Sequence, residues 1–339
     1  MKYVELGKTG LKVSVAGLGT GGYSKLGQMQ GESIEHSVGI VQAALDLGIN
    51  TIDVSDTAVD ASNPISIETI VGRAIKGRRD GLVISTKLHP RHEDDSVISA
   101  QDLRTYVEGA LGRLNVDVID IFYLHGLDME RYDYAVKELV PEMQRLRERG
   151  LIRFIGATES FGRRADSEHK MLAQAVKDDH WEVLMTGFNL LNHCAKRNVF
   201  PLAMAKGIGI YVMYAVRDML AKPDLLREWI KGAVDQGLLD PKGIDMNDPL
   251  GFLVHEGGAT SVVDAAYRFA CYTPGVNTVL MGTGKHEHLR ANVESINRGP
   301  LPREDVERLS RLFGQLTNFT GNAAHRYEEG RRRKKSLGM

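Results

Sequence analysis

Three residues of complementary chemistry stand at the ends of short apolar runs. They are Asp53 in Gly48-Ile49-Asn50-Thr51-Ile52-Asp53, Lys87 in Ile84-Ser85-Thr86-Lys87, and His125 in Asp120-Ile121-Phe122-Tyr123-Leu124-His125. A carboxylate, an ammonium and an imidazole gathered in one pocket can hold charge and move a proton to or from a substrate oxygen. An Asp–Lys pair also suits a site away from water, where either charge alone would be costly to desolvate. Each residue by itself reads as a solvated loop residue; the shared placement at a run's end singles out the set. A glycine cluster, Gly17-Leu18-Gly19-Thr20-Gly21-Gly22, formally matches G-x-G-x-x-G. A dinucleotide fold wants a helix opening at the last glycine and an acid about 20 residues on. Here Tyr23–Gln28 continues as loop, so the cluster is expected to form a flexible loop after the first strand, near the site.

The elements that must position these residues are legible in the pattern. Residues 2–13 read as a hairpin around Gly7-Lys8-Thr9-Gly10. After it come eight apolar runs: Val15–Leu18, Thr51–Val54, Leu82–Thr86, Val118–Leu124, Phe154–Ala157, Val183–Thr186, Ile208–Met213 and Thr278–Met281. Helix-period segments separate them, among them Ser37–Leu47, Ile67–Lys76, Gln101–Leu114, Tyr134–Arg149 and Ser261–Cys271. Parallel strands buried on both faces read as continuous apolar runs, so the pattern predicts a (β/α)8 barrel, an open doubly wound sheet being the alternative. At the barrel's C-terminal face Asp53, Lys87 and His125 converge, where barrel enzymes carry their chemistry. Val216–Gly258, with the helix-like Pro223–Asp235, and the stretch after Pro302 are long enough to cover the mouth. One domain is expected over residues 1–320, with a basic tail over 321–339 that holds Arg331-Arg332-Arg333-Lys334-Lys335.

Bulk composition narrows the function classes. The chain has 339 residues, 42% hydrophobic and 26% charged, with a formal net charge of −1. No global field would draw in nucleic acid or an anionic membrane. Cys194 and Cys271 are the only cysteines, too few for a disulfide framework, and point to a reducing compartment. With no apolar run long enough for a signal peptide or a span, a cytoplasmic protein with a small-molecule substrate is expected.

Beyond the strand-end triplet, further motifs carry a resemblance. They are the opening Leu6-Gly7-Lys8-Thr9-Gly10-Leu11-Lys12-Val13, Glu68 followed by Val71-Gly72-Arg73-Ala74-Ile75, and Gly150-Leu151-Ile152-Arg153-Phe154-Ile155-Gly156. Phe188-Asn189-Leu190-Leu191-Asn192 and Gly282-Thr283-Gly284 with His288, Leu289 and Asn292 complete the set. Over about residues 2–315 the chain resembles the aldo-keto reductases. The resemblance implies a carbonyl reductase or alcohol dehydrogenase using NADP or NAD, with nicotinamide at the barrel mouth. It also implies a site of Asp, Tyr, Lys and His, of which Asp53, Lys87 and His125 carry over. Implied cofactor contacts are Gly19, Thr20, Gly21, Thr158, Glu159, Asn189 and Tyr214. On the adenosine side they are Gly282, Thr283, Gly284, Lys285, His288 and Asn292.

The sequence departs from that family at telling positions. The family tyrosine lies five residues after the aspartate, where this chain has Ala58, and the alternative register places Ala61 there. Neither supplies a phenol. Tyr23, Lys87 and His125 are the candidate replacements, His125 first because its strand position points it inward. The family's Ser-Asn and Gln become Thr158-Glu159 and Met185; a carboxylate cannot donate to the carboxamide oxygen. A divalent metal held by Asp53, His89, His125 and Glu159 finds no support in ligand spacing, and none is expected. The polar mouth favours a hydroxylated, sugar-like substrate. The alternatives are a lyase, dehydratase or epimerase on the same scaffold, or a binding protein that retains a nucleotide site.

Overall fold

The computed structural model describes residues 1–55, 65–161 and 168–323. Ten strands form: β1 (Tyr3–Glu5), β2 (Lys12–Ser14), β3 (Ala16–Gly19), β4 (Thr51–Asp53), β5 (Val83–Leu88), β6 (Ile119–Leu127), β7 (Ile152–Glu159), β8 (Val183–Gly187), β9 (Gly209–Met213) and β10 (Thr278–Met281). β1 and β2 pair as the expected antiparallel hairpin, and β3–β10 close into a parallel barrel in which β10 lies between β9 and β3. All eight apolar runs of the sequence are barrel strands, because burial on both faces required their continuous apolar character.

The hairpin plugs the N-terminal end of the barrel. Leu6, Leu11 and Val13 pack with Val83, Ile121, Tyr123, Val183, Met185 and Tyr211 in one interior cluster. The outward strand residues meet the helices in the larger cluster. Serine caps begin several of those helices: Ser33, Ser66, Ser99 and Ser261 each accept from a backbone N–H of the first turn, satisfying a donor that a helix start leaves free.

Two local readings of the sequence are refined. Tyr134–Arg149 is not one regular helix: Met129–Tyr134 leads through a π turn over Ala135–Leu139 into Val140–Glu148. Pro141 lacks the N–H that an unbroken ladder needs, so the turn widens ahead of it. The stretch after the glycine cluster is partly ordered as a 3-10 turn over Lys25–Gln30, kinked at Leu26 (φ 59°) and Gly27 (φ 99°). The stretch Val216–Gly258 does contain the helix Pro223–Asp235. After the helix Arg303–Phe313 the chain returns to the body, where Gly321 O accepts from Met219 N at 3.0 Å. Of the basic tail, Arg331–Lys335 lies outside the described residues. No described helix is long and apolar enough to cross a membrane.

Candidate active site

Barrel register brings the strand-end triplet together. Asp53 pairs with Ser85 across β4 and β5, and Lys87 pairs with Tyr123 across β5 and β6. Side chains two apart on a strand share a face, so Ser85 and Lys87 both reach the Asp53 carboxylate. Lys87 Nζ donates to Asp53 Oδ1 at 2.8 Å, to Oδ2 at 2.7 Å and to Val54 O at 3.0 Å, and Ser85 Oγ donates to Oδ1 at 3.0 Å. Both charged residues are only 4% exposed. Thr20 fixes the backbone of the pair: its N–H and hydroxyl donate to Asp53 O, and its oxygen accepts from Ser55 N. Gly21 packs against Ser55.

His125 stands beside them on an irregularity of β6, where the pairing with β7 shifts between Leu124 and Leu127 and Gly126 takes φ +62°. Its Nδ1 lies 2.9 Å from Thr158 Oγ1, which also accepts from Gly126 N at 2.8 Å. His89 Nδ1 donates to His125 O at 3.0 Å, and the two rings lie 4.3 Å apart. Burial pushes the His125 imidazole well below its ordinary pKa, and the neighbouring His89 and Lys87 add to the effect, leaving the ring neutral near pH 7.

Glu159 is directed into the structure. Its Oε1 accepts from Gly187 N at 2.7 Å and Thr186 Oγ1 at 3.0 Å, and His169 Nδ1 donates to Oε2 at 2.8 Å. Neither side chain of that contact is exposed, so here the carboxylate presents no oxygen to the mouth. Phe161 stacks on the His169 ring at 5.6 Å and meets Tyr214 edge-on at 5.2 Å. Tyr214 holds φ +63°, and the Arg217 guanidinium lies 4.0 Å over its ring and 5.1 Å from Tyr23. The Tyr23 hydroxyl donates to Asn322 Oδ1 at 2.9 Å, tying the first loop to the C-terminal segment.

The glycine residues make two loops meet. A Cβ on Gly284 would sit 2.4 Å from Gly27 N, and one on Gly282 would sit 3.2 Å from Gly19 O. Lys285 N donates to Thr283 Oγ1 at 3.1 Å, while Lys285 and His288 extend outward beside Glu287. Asn292 Nδ2 donates to Tyr267 Oη at 3.4 Å. Asn189 Oδ1 accepts from Leu191 N and Asn192 N, and its buried Nδ2 has no partner among the described residues. Ala58 and Ala61 lie outside the described residues. Among the described residues, no group of three or more His, Cys, Asp or Glu is arranged to hold a metal ion.

Sequence reading missed several members of this neighbourhood. Ser85 was signalled by its two-residue spacing from Lys87. Asn322 carried no signal, because its partner Tyr23 lies 299 residues away, and His169 and Arg217 stand in loops whose spacing to Glu159 and Tyr214 follows no regular period. Two further phenols, Tyr123 and Tyr211, lie inside the barrel with ring centroids 6.2 Å apart, and the Tyr123 hydroxyl has no partner among the described residues. Burial raises both pKa values well above the ordinary phenol range, so both stay protonated.

With the barrel and its strand-end cluster in view, comparison with known proteins is decisive. The Aldo/keto reductase family pattern matches residues 17–313. This chain belongs to that family. It is an aldo-keto-reductase-like oxidoreductase. A Bacillus subtilis (strain 168) relative called uncharacterized oxidoreductase YqkF is 24% identical over 314 residues, covering 91% of this chain and 95% of its own. The L-galactose dehydrogenase of Arabidopsis thaliana is 34% identical over 157 residues, 45% of this chain and 47% of that one. Among solved structures, the holo form of aldo-keto reductase AKR11C1 from Bacillus halodurans superposes with a TM-score of 0.68 at 24% identity. That match covers 94% of this chain and 98% of the other, and supports the family fold.

Proposed function

We propose that this family member transfers hydride between NADP or NAD and the carbonyl or alcohol carbon of a polar, sugar-like small molecule. The observation that carries the reading is the desolvated Asp53–Lys87 ion pair with a neutral His125 beside it at the strand ends. Such a pair is costly to keep out of water, and functional sites are where such costs concentrate. The sugar-like substrate class rests on the polar mouth and on the similarity to a relative named L-galactose dehydrogenase.

The residues at the mouth fit a nicotinamide dinucleotide. The buried, unpartnered Nδ2 of Asn189 is a donor suited to an amide oxygen, and Tyr214 offers an aromatic face. The helix His286–Asn297 begins at Lys285 without a side-chain cap, which leaves first-turn N–H groups for an anion. Gly282, Thr283, Gly284, Lys285, His288 and Asn292 would hold the adenosine half, with Gly19, Thr20, Gly21 and Thr158 near the nicotinamide half. Glu159 would act from behind Thr158. When bound, the dinucleotide supplies the hydride.

The chain's own residues handle the oxygen. Lys87 has three donors and three acceptors at hydrogen-bond distance, so its ammonium is committed to Asp53 and Val54. It contributes a fixed positive charge behind the substrate. His125 is half-buried, and its Nε2 is the ring nitrogen left for a ligand. A carbonyl oxygen gains negative charge as hydride arrives at its carbon, and a preset N–H donor aimed there stabilises that charge. His125 therefore takes the leading part of the missing phenol, ahead of Tyr23, whose hydroxyl is engaged with Asn322.

The test is a titration of the folded protein with NADPH and NADH, followed by nicotinamide fluorescence and tryptophan quenching. Micromolar binding of either is the expected result and leads to a screen of sugars and polyols. A folded protein that binds neither the reduced nor the oxidised forms overturns the reading in favour of cofactor-free proton transfer on the same scaffold.

A further inference from the structure

Thr158 sits at the end of β7 with no exposure. Its hydroxyl has one proton to give and two lone pairs. One lone pair receives Gly126 N–H at 2.8 Å, and the only other partner described for the oxygen is His125 Nδ1 at 2.9 Å. A buried hydroxyl proton needs an acceptor, and among the described residues Nδ1 is the one available. Thr158 therefore donates to His125, Nδ1 carries no proton, and the neutral ring carries its proton on Nε2. Burial, with His89 and Lys87 beside the ring, favours the neutral form. The backbone holds this geometry: Gly126 turns its N–H toward Thr158 through its positive φ, and His89 Nδ1 pins His125 O. With the opposite tautomer, the Thr158 proton would be orphaned and Nε2 would face the mouth as an acceptor, unable to stabilise developing negative charge.

We propose that Thr158 is a positioning residue whose hydroxyl locks His125 in the Nε2–H tautomer, and so makes His125 a hydrogen-bond donor to the substrate oxygen. The second half rests on the reading of His125 given above; the tautomer itself does not.

Long-range 1H–15N correlation spectra of the 15N-labelled protein report which imidazole nitrogen is protonated, with His125→Gln identifying the signal. In the unmodified protein near pH 7.5, His125 is expected to carry its proton on Nε2. Thr158→Val, which keeps the shape and removes the donor, is expected to move protonation toward Nδ1. It should lower kcat by about tenfold or more with little change in substrate KM, as loss of a transition-state donor does. Thr158→Ser should restore both. Protonation on Nδ1 in the unmodified protein overturns the proposal. So does a Thr158→Val protein whose tautomer is unchanged while cofactor binding weakens, since Thr158 would then be a cofactor contact only. If the valine variant does not fold, the spectra of the unmodified and serine proteins decide. A His125→Gln protein with undiminished turnover, alongside the Nε2–H tautomer, removes the role of His125 in the reaction while leaving the lock in place.

Discussion

Replacing Lys87 by methionine tests whether the strand-end pair is truly desolvated. The substitution keeps the aliphatic stem and deletes the ammonium. Asp53 then loses two bonds at 2.8 and 2.7 Å and keeps the Ser85 hydroxyl at 3.0 Å. A carboxylate left unpaired in a buried site costs about 3–5 kcal/mol. For a chain of this length that is a fall in Tm of about 4–7 °C, taking unfolding entropy as proportional to length. Asp53→Asn alone strands the ammonium and is expected to cost a similar amount. Asp53→Asn combined with Lys87→Met removes both charges and is expected to recover much of the loss, with a coupling of about 2 kcal/mol or more from the double-mutant cycle. Urea denaturation followed by far-UV circular dichroism measures all four proteins. A loss below about 1 kcal/mol for Lys87→Met, as an exposed pair would give, refutes the claim that this pair is held out of water. It would also remove the main support for a functional site here.

Other outcomes follow from the packing. Gly156→Ala places a methyl carbon 2.4 Å from the Tyr123 ring and 2.8 Å from Val183 O. It should destabilise the barrel by about 1–3 kcal/mol or more through overpacking, and adding Tyr123→Leu should return part of that in thermal melts. Burial pushes the His193 imidazole down to about 4, so below pH 6.5 the unfolded chain takes up a proton that the folded one does not. Stability should therefore fall between pH 6.5 and 4 by about 3 kcal/mol, and His193→Gln should flatten that slope in denaturation curves taken across the range. Glu68 accepts from Arg113, Thr86 and Tyr106. Glu68→Gln should cost about 1–3 kcal/mol in urea titrations, and an unchanged midpoint would show this network to be dispensable.

The barrel was legible because its signal is local. A strand buried on both faces must be apolar throughout, and each of the eight runs from Val15–Leu18 to Thr278–Met281 shows that without reference to any partner. The positions of Asp53, Lys87 and His125 at the ends of three such runs followed for the same reason. What failed to show was what depends on register and on long contacts. The break at Pro141 widened a helix that the apolar spacing ran straight through, since the spacing reports a buried face and not the hydrogen-bond ladder.

The sequence by itself determined the eight strands, their apolar burial and the chemical types gathered at their ends. Tertiary structure alone decided what those types are bonded to. Glu159 follows Thr158 by one residue, yet the carboxylate turns to the helix side of the barrel wall, to His169, Thr186 and Gly187, while the threonine hydroxyl faces His125. Successive residues on a strand point to opposite sides, and the side each takes is set by barrel closure and by the shift in pairing between β6 and β7. Hydrogen-bond partners drawn from different strands leave no trace in spacing, so the residue types at the strand ends were readable from the chain and the directions of their side chains only from the fold.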